Sequence, residues 1–430
     1  MAPRNPQRRS LLRNSVYIML TTGVNSGLGY VFWLVIARAY DASVVGVASA
    51  LIAAMTVVAA IADLGTSTAL IQRLPRERGE AEWSRTLTAS LVTASAAGLA
   101  TALVAGLVVI PEVDPSLQVV SSSAGYLAVF VLGVPLWSLS VVSDFLFVAE
   151  RRSENMFARN FVFGLAKLVV VALLVVAGSE DALGIFAAWV GGCALSLAAG
   201  YVALMPRLGR RYRPSLAGVR GQIRSLAGSF AGNYLITLGY LLTTFLLPVL
   251  VIARLSPADN AYFYVAWLLG GAFFTVTTAV GSALFAEGSH DADALDAQTR
   301  SAVRITAALI GPVVVVFLVA GGPILQLFGE EYADNGRTLL LLLTASAIPN
   351  AVTGLYLSRV RAEGRLGFAS AVSMGMAAIT LVGAWFLLPE LELDGVGVAF
   401  IAAHALGAVV CGLDRLRVVR ATSAAGPASA

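Results

Sequence analysis

Charge is scarce in this chain: 13% of its 430 residues are charged, against 58% hydrophobic. Soluble domains carry about 25% charged residues, so a water-facing surface of ordinary composition is excluded. Lysine is almost missing, and Lys167 is the only one. The two cysteines, Cys193 and Cys411, both fall inside apolar runs. That placement argues against a disulfide framework or a thiolate metal site, and small packed thiols are expected instead. His290 and His404 stand alone without ligand partners and are assigned no role. No metal and no cofactor is expected. There is no G-x-x-x-x-G-K-S/T sequence, which excludes ATP use by that route. The alternating pattern of outer-membrane strands, about 10 residues each, is absent too.

What is present is a series of twelve long apolar segments. A bilayer core takes about 20 apolar residues per helix. The spans read as 14–37, 44–71, 84–110, 119–148, 156–178, 181–204, 226–252, 258–286, 301–327, 336–358, 367–388 and 395–413. Arginine concentrates in alternate gaps: Arg4, Arg8, Arg9 and Arg13 first, then Arg73 to Arg85, and then Arg151, Arg152 and Arg159. The Pro206–Arg224 gap, Arg300 and Arg304, Arg359 to Arg365, and Arg415 to Arg420 complete the series. The opposite gaps are mostly acidic, with Glu112, Asp114, Glu180, Asp181, Glu330 and Glu331. Positive loops stay inside, so the expectation is a multi-pass protein of the inner, cytoplasmic membrane with both termini cytoplasmic. The net charge of +4 is then a topology signal and not a sign of a nucleic-acid partner. The first apolar run is too long for a cleaved signal segment and reads as a retained helix.

The spans divide into two sixes around the basic loop. An offset of 216 positions aligns Leu34-Val35-Ile36-Ala37-Arg38 with Leu250-Val251-Ile252-Ala253-Arg254, and also Thr21 with Thr237 and Gly65 with Gly281. Six is even, so both halves enter the membrane in the same direction. Parallel repeats of this kind are related by an axis along the membrane normal, a transporter architecture. The expected fold is all-helical, in two six-helix lobes. The first spans 1–205 and the second 225–414, with a basic cytoplasmic linker at 206–224 and a disordered tail over 415–430.

Polar residues recur at helical spacing on the first helix of each half: Asn14, Tyr17, Thr21 and Asn25, and Ser229, Asn233, Thr237, Tyr240 and Thr244. Hydroxyls in such stripes ordinarily bond neighbouring helices. The amides Asn25 and Asn233 point to a wet cavity, because lipid would leave them unpaired. Pro135, Pro248, Pro312 and Pro349 lie within spans and predict kinks. Ionisable residues inside the membrane are costly and usually paired or functional. Lys167 is the clearest, with Asp63 and Asp144 at similar or shallower depth as ion-pair or proton-coupling candidates. The competing reading for Lys167 is a structural pair or a side chain snorkelling to the interface. Arg38 and Arg254 break the positive-inside pattern at equivalent outer ends. An outer phosphate vestibule is one reading; an arginine closing a helix end at headgroup level is the plainer one. Asp291-Ala292-Asp293 has the spacing of some metal carboxylates, without a domain around it.

Leu12-Arg13-Asn14, Ala37-Arg38, Val45-Gly46, Asp63-Leu64-Gly65 and Ala69-Leu70-Ile71 resemble the start of polysaccharide biosynthesis flippases, and Ala253-Arg254 with Tyr262 resemble the start of their second lobe. These flippases belong to the polysaccharide transporter branch of the superfamily that includes multidrug and toxin extrusion (MATE) proteins. The resemblance implies a two-lobed bundle with a central cavity that moves undecaprenyl-diphosphate-linked oligosaccharide from the inner to the outer leaflet. The partners it implies are the lipid-linked oligosaccharide, membrane lipids, and a glycan polymerase or glycosyltransferases. Asp63 departs from the small or apolar residue usual there, and Phe285-Ala286-Glu287 replaces a frequent Phe-Pro.

A diphosphate crossing a bilayer needs a polar path and a compensating cation, while its polyprenyl tail stays in lipid. Polar faces on the first and seventh spans, with Lys167, meet that need in outline, and alternating access would expose them to one side at a time. The alternative is a cation-coupled drug antiporter of the MATE type, which wants a carboxylate in the first lobe. The first span has no Asp or Glu, but Asp63 keeps that alternative open. A sugar polymerase, the enzyme reading, would need large external loops, and the external gaps are mostly short.

Overall fold

A computed structural model of the chain describes residues 6–63, 65–77, 79–216, 221, 231–288 and 294–424. Among them no strand occurs, and twelve helices are long and apolar enough to cross a membrane. In order they are α1 (Pro6–Ala39), α2 (Ala42–Asp63), α3 (Glu80–Val104), α4 (Ala124–Ala149), α5 (Ser153–Val176) and α6 (Ala182–Ala199). There follow α7 (Ala231–Arg254), α8 (Pro257–Gly288), α9 (Leu295–Gln326), α10 (Glu330–Ala362), α11 (Leu366–Leu391) and α12 (Asp394–Ala424). A 22-residue helix such as α2 is about 33 Å long, enough for a hydrocarbon core of about 30 Å. Bare aliphatic side chains cover the outside, with Val176 87%, Val319 80% and Val202 79% exposed. Water would penalise such a surface and lipid does not, so the chain is a multi-pass membrane protein.

Two expectations are corrected. The single span read over 44–71 is two helices: α2 stops at Asp63, and a short helix, Thr66–Arg73, restarts after Gly65. Gly65 has φ 78°, a left-handed conformation that a side chain would strain. The apolar run hides this break. The tail expected to be disordered over 415–430 is instead helical through Ala424, where the described residues end. Its Arg415 bonds Asp296 at 3.1 Å. Asp296 also pairs with Arg359, which in turn holds Glu363 at 2.9 Å. A short acid–base network thus ties the last turn of α10 and the C-terminal part of α12 to the first turn of α9.

The chain forms two compact units, Met1–Tyr234 and Leu235–Ala430, and the boundary falls in the first turn of α7. In the first unit Trp83, Leu87, Val142 and Leu146 form a core between α3 and α4. The stretch after α6 lies along α3: Arg213 N donates to Ser84 Oγ at 3.2 Å, and Ser215 N donates to Thr88 Oγ1 at 3.4 Å. Arg210 meets Glu150 at 3.4 Å, whose other oxygen accepts from Trp83 Nε1 at 2.6 Å. In the second unit Leu357, Val360, Ala369 and Cys411 pack between α10, α11 and α12. Both cysteines are buried free thiols.

Candidate functional site

The first unit carries its polar groups on the inward face of α5. Arg159, Phe163 and Lys167 are spaced by four, so they stack on one side of the helix. Arg159 is 1% exposed, and its Nη2 lies 2.7 Å from Asp144 Oδ1 on α4. Its Nη1 donates to Ser140 Oγ at 2.8 Å and to Ser196 Oγ at 3.2 Å. Asn160 Nδ2 donates to the same Asp144 oxygen at 2.9 Å, and Asn25 Nδ2 of α1 donates to Asn160 Oδ1 at 3.1 Å. One network therefore joins α1, α4, α5 and α6. It depends on a close approach of α1 to α5: a Cβ on Gly164 would sit 2.5 Å from Leu28 Cδ1 and 3.2 Å from its Cβ, so any larger residue there would force Leu28 to move.

Two turns beyond Arg159, Lys167 is 3% exposed and its ammonium is caged by aromatic rings. Nζ lies 3.8 Å from the Trp189 ring centre and 4.7 Å from those of Phe32 and Phe163. No carboxylate pairs with it among the described residues. The expected pair with Asp144 or Asp63 is corrected, because both acids have other partners. Asp144 belongs to Arg159. Asp63 Oδ1 accepts from Ser67 Oγ at 2.5 Å, Ser67 N at 3.2 Å and Thr66 Oγ1 at 3.2 Å, so it caps the restarted helix. Lys167 is also not displayed to solvent, as a direct cargo contact would require.

This assignment of Asp63 carries a prediction. Asp63→Ala removes the cap and lowers stability by about 1 kcal/mol. Asp63→Asn keeps an acceptor oxygen and retains both stability and transport, measured by thermal unfolding in detergent and by complementation. Loss of transport in the Asn variant at normal abundance would return Asp63 to a proton-coupling role.

The second unit contains a cavity of about 260 Å³. Thr237, Tyr240 and Thr244 of α7 line one side, so the polar stripe read on this helix faces open space there. Gly239 on the same helix lies against Ser373 of α11. The facing side is the stripe Asn350, Thr353, Gly354, Leu357, Ser358 and Arg361 on α10, which begins one residue after Pro349. Trp267 and Phe274 of α8 and Phe400 of α12 close the floor as a ring cluster, with centroids 5.1 to 5.6 Å apart. The His404 ring is tilted against Phe400 with centroids 4.1 Å apart, and its Nδ1 lies 3.0 Å from Phe400 O. Arg361 is the only charged residue in the lining among the described residues, and its guanidinium sits 4.6 Å from the Phe285 ring. Two buried atoms here have no protein partner, Arg361 Nε and Asn350 Oδ1.

Against the sequence reading, the placements divide. Asn25 is bonded within the polar network of the first unit. Thr21 is buried and donates back to Tyr17 O at 2.7 Å, whereas its repeat partner Thr237 lines the second unit's cavity, so the two positions differ in environment. The side chain of Asn233 lies outside the described residues, as do His290 and Asp291-Ala292-Asp293. Arg38 and Arg254 each sit in the last turn of their helix, where cations complement the helix dipole, and Arg254 lies 4.5 Å from the Trp385 ring. Sequence reasoning missed Arg159, Asn350, Arg361 and His404. The spacing of the α10 stripe, at i, i+3, i+4, i+7, i+8 and i+11, was the available signal.

Twelve apolar helices holding a buried ionic network and a polar cavity define a polytopic membrane protein. The chain belongs to the family described as polysaccharide biosynthesis protein, whose model matches residues 11–283. No curated protein matches it in sequence. Among solved structures it is similar to the lipid II flippase MurJ in an inward closed conformation (TM-score 0.75, 11% identity, covering 93% of this chain and 87% of that one). It is also similar to a multidrug resistance MATE family transporter of the MOP superfamily in an inward-facing conformation (0.72, 15%, 96% and 99%). A MOP superfamily transporter from Pyrococcus furiosus, described as having a binding pocket of reversed polarity, matches at 0.66 with 13% identity over 97% of both chains. These likenesses establish the fold.

Proposed function

We propose that the protein moves a polyprenyl-diphosphate-linked oligosaccharide across the cytoplasmic membrane, from the inner to the outer leaflet, by alternating access and without covalent chemistry. One observation carries this reading. Among the described residues, Lys167 and Arg361 are cations with aromatic neighbours and no ion-pair partner, while the buried acids Asp144 and Asp63 already have partners. A buried ion costs several kcal/mol even after relaxation. A desolvated ring returns about 2 kcal/mol, so the cage around Lys167 only partly offsets that cost. Such an interior favours an anionic head group and disfavours a cationic drug. Family membership supports the link to polysaccharide synthesis, and the flippase and drug-transporter likenesses supply the fold for either cargo.

The arginine-rich ends of the helices face the cytoplasm in this reading, with both termini there. The glycan polymerase or glycosyltransferases of the same surface polysaccharide are the expected partners. The test is deletion followed by two measurements on the same strain. Loss of surface polysaccharide with unchanged growth in toxic cations is expected. Sensitivity to toxic cations with normal polysaccharide would replace this reading with a cation antiporter.

A further inference from the structure

The cavity of the second unit has features that translocation of an anionic lipid does not by itself demand. It presents an unpartnered donor and an unpartnered acceptor on one helix face, Arg361 Nε and Asn350 Oδ1. Buried polar groups are nearly always hydrogen-bonded, so both invite a ligand able to accept at one end and donate at the other. The two residues are eleven positions apart. That is about 16 Å of helix, and the arginine side chain reaches back along the axis to shorten the gap. The ligand is therefore elongated, with its anionic group at the arginine-rich end of α10 and its hydroxyls toward Pro349.

The remaining lining fits that division. Among the described residues no carboxylate lines the cavity, and a planar guanidinium matches phosphate or carboxylate with two parallel bonds. The rest of the lining supplies hydroxyls and an imidazole, among them Thr278, Thr353 one turn from Asn350, and His404, whose Nδ1 is engaged by Phe400 O, leaving its Nε2 for a ligand. Tyr240, 48% exposed, lines the cavity together with the aromatic rings of Trp267, Phe274 and Phe400. Aromatic walls with a few fixed polar groups are the usual composition of a small-molecule site. At about 260 Å³ the cavity is below the roughly 300–1,000 Å³ of sites for drug-sized ligands, which suits one sugar unit and not a whole oligosaccharide.

We propose that this cavity is a sugar-phosphate site: it takes a single pyranose with its phosphate on Arg361 and its hydroxyls on Asn350 and His404. The proposal rests on the flippase reading for its biological source, because the first sugar and diphosphate of a lipid-linked glycan have this chemistry. A soluble sugar phosphate has the same chemistry, and the experiment separates the two.

The test is calorimetric titration of the full-length protein in lipid nanodiscs with glucose 1-phosphate, glucose, inorganic phosphate, farnesyl diphosphate and glucosyl farnesyl diphosphate. Glucose 1-phosphate is expected to bind at least about tenfold tighter than glucose or phosphate, the advantage of a charge-assisted bond added to the sugar contacts. Arg361→Gln should reduce glucose 1-phosphate to the affinity of glucose, and Arg361→Lys should restore only part, since it lacks the planar fork. Asn350→Ala should weaken glucose and glucose 1-phosphate alike and leave phosphate unchanged. It removes no bond of Asn350 Oδ1 within the protein, so its melting temperature should match that of the parent. Competition of glucosyl farnesyl diphosphate with glucose 1-phosphate would identify the lipid-linked form as the ligand, and absence of competition the soluble one. Equal affinities for glucose 1-phosphate and phosphate, or an Arg361→Gln variant that binds like the parent, would overturn the proposal. Binding needs no translocation. A protein that binds through Arg361 but leaves surface polysaccharide intact on deletion keeps this site and loses the flippase reading, and the converse result does the reverse.

Discussion

Asp144→Asn is expected to destabilise the first unit by about 3–5 kcal/mol, because it leaves a fully buried guanidinium without its counter-ion. Arg159 is 1% exposed and Asp144 is 27% exposed, so the two halves of this pair are not equivalent. Removing the arginine instead, in Arg159→Gln, leaves the more accessible charge behind, and should cost about 1–3 kcal/mol. The double replacement Asp144→Asn with Arg159→Met takes both charges out and should recover part of the loss. Thermal unfolding of the three variants in one detergent orders them, with abundance in the membrane as a second readout. If the arginine variant were the weaker, the depth ordering of the pair would be wrong.

Lys167→Met should separate stability from transport. Methionine keeps the length and volume of the side chain inside the cage of Phe32, Phe163 and Trp189 and removes an ion that has no anion beside it. Stability is expected to stay level or rise by about 1 kcal/mol or more, as in other replacements of buried charge by a packed apolar group. Transport is expected to fall at least about tenfold, the worth of 1.4 kcal/mol in an equilibrium or a barrier. The readouts are melting temperature and rescue of surface polysaccharide in a deletion strain at matched abundance. Full rescue would make the lysine a packing residue. Because Lys167 is enclosed here, its role in transport also requires the aromatic cage to open in another conformation. Accessibility of a cysteine at position 167 to a membrane-permeant thiol reagent should therefore rise when cargo is present.

Much of the fold was legible because the bilayer imposes one rule, an apolar run of sufficient length, and arginine marks alternate ends of those runs. The same rule concealed the break at Gly65. A left-handed glycine flanked by Asp63 and Ser67 looks like one more interruption in an apolar stretch, and the carboxylate that caps the new helix looks like an intramembrane acid. The pairing of Asp144 with Arg159 was available in principle. The two residues lie seven positions before Arg151 and seven after Arg152, so a helical hairpin turning there puts them at one depth. Counting Arg159 only as a topology marker removed it from consideration. Arg361 was lost in the same way. It reads as one of three arginines at the end of a span, yet Arg359 and Arg365 are engaged by Asp296, Glu363 and Asp414 while Arg361 lines a cavity. The polar stripe of α7 was readable from its spacing. The partner stripe on α10 has the same kind of spacing, but it was passed over because Thr353 and Ser358 are unremarkable within an apolar helix until Asn350 and Arg361 are placed on the same face.

The central claim is that the interior offers unpaired positive charge, so the cargo is anionic. Purified protein reconstituted into liposomes tests it directly, with leaflet-resolved detection of a fluorescent polyprenyl-diphosphate disaccharide and, in parallel, uptake of tetraphenylphosphonium. Accelerated crossing of the diphosphate, reduced in Lys167→Met and Arg361→Gln, with no uptake of the cation, is the predicted result. Cation uptake that depends on Asp63 or Asp144, with the diphosphate left in its starting leaflet, would contradict it.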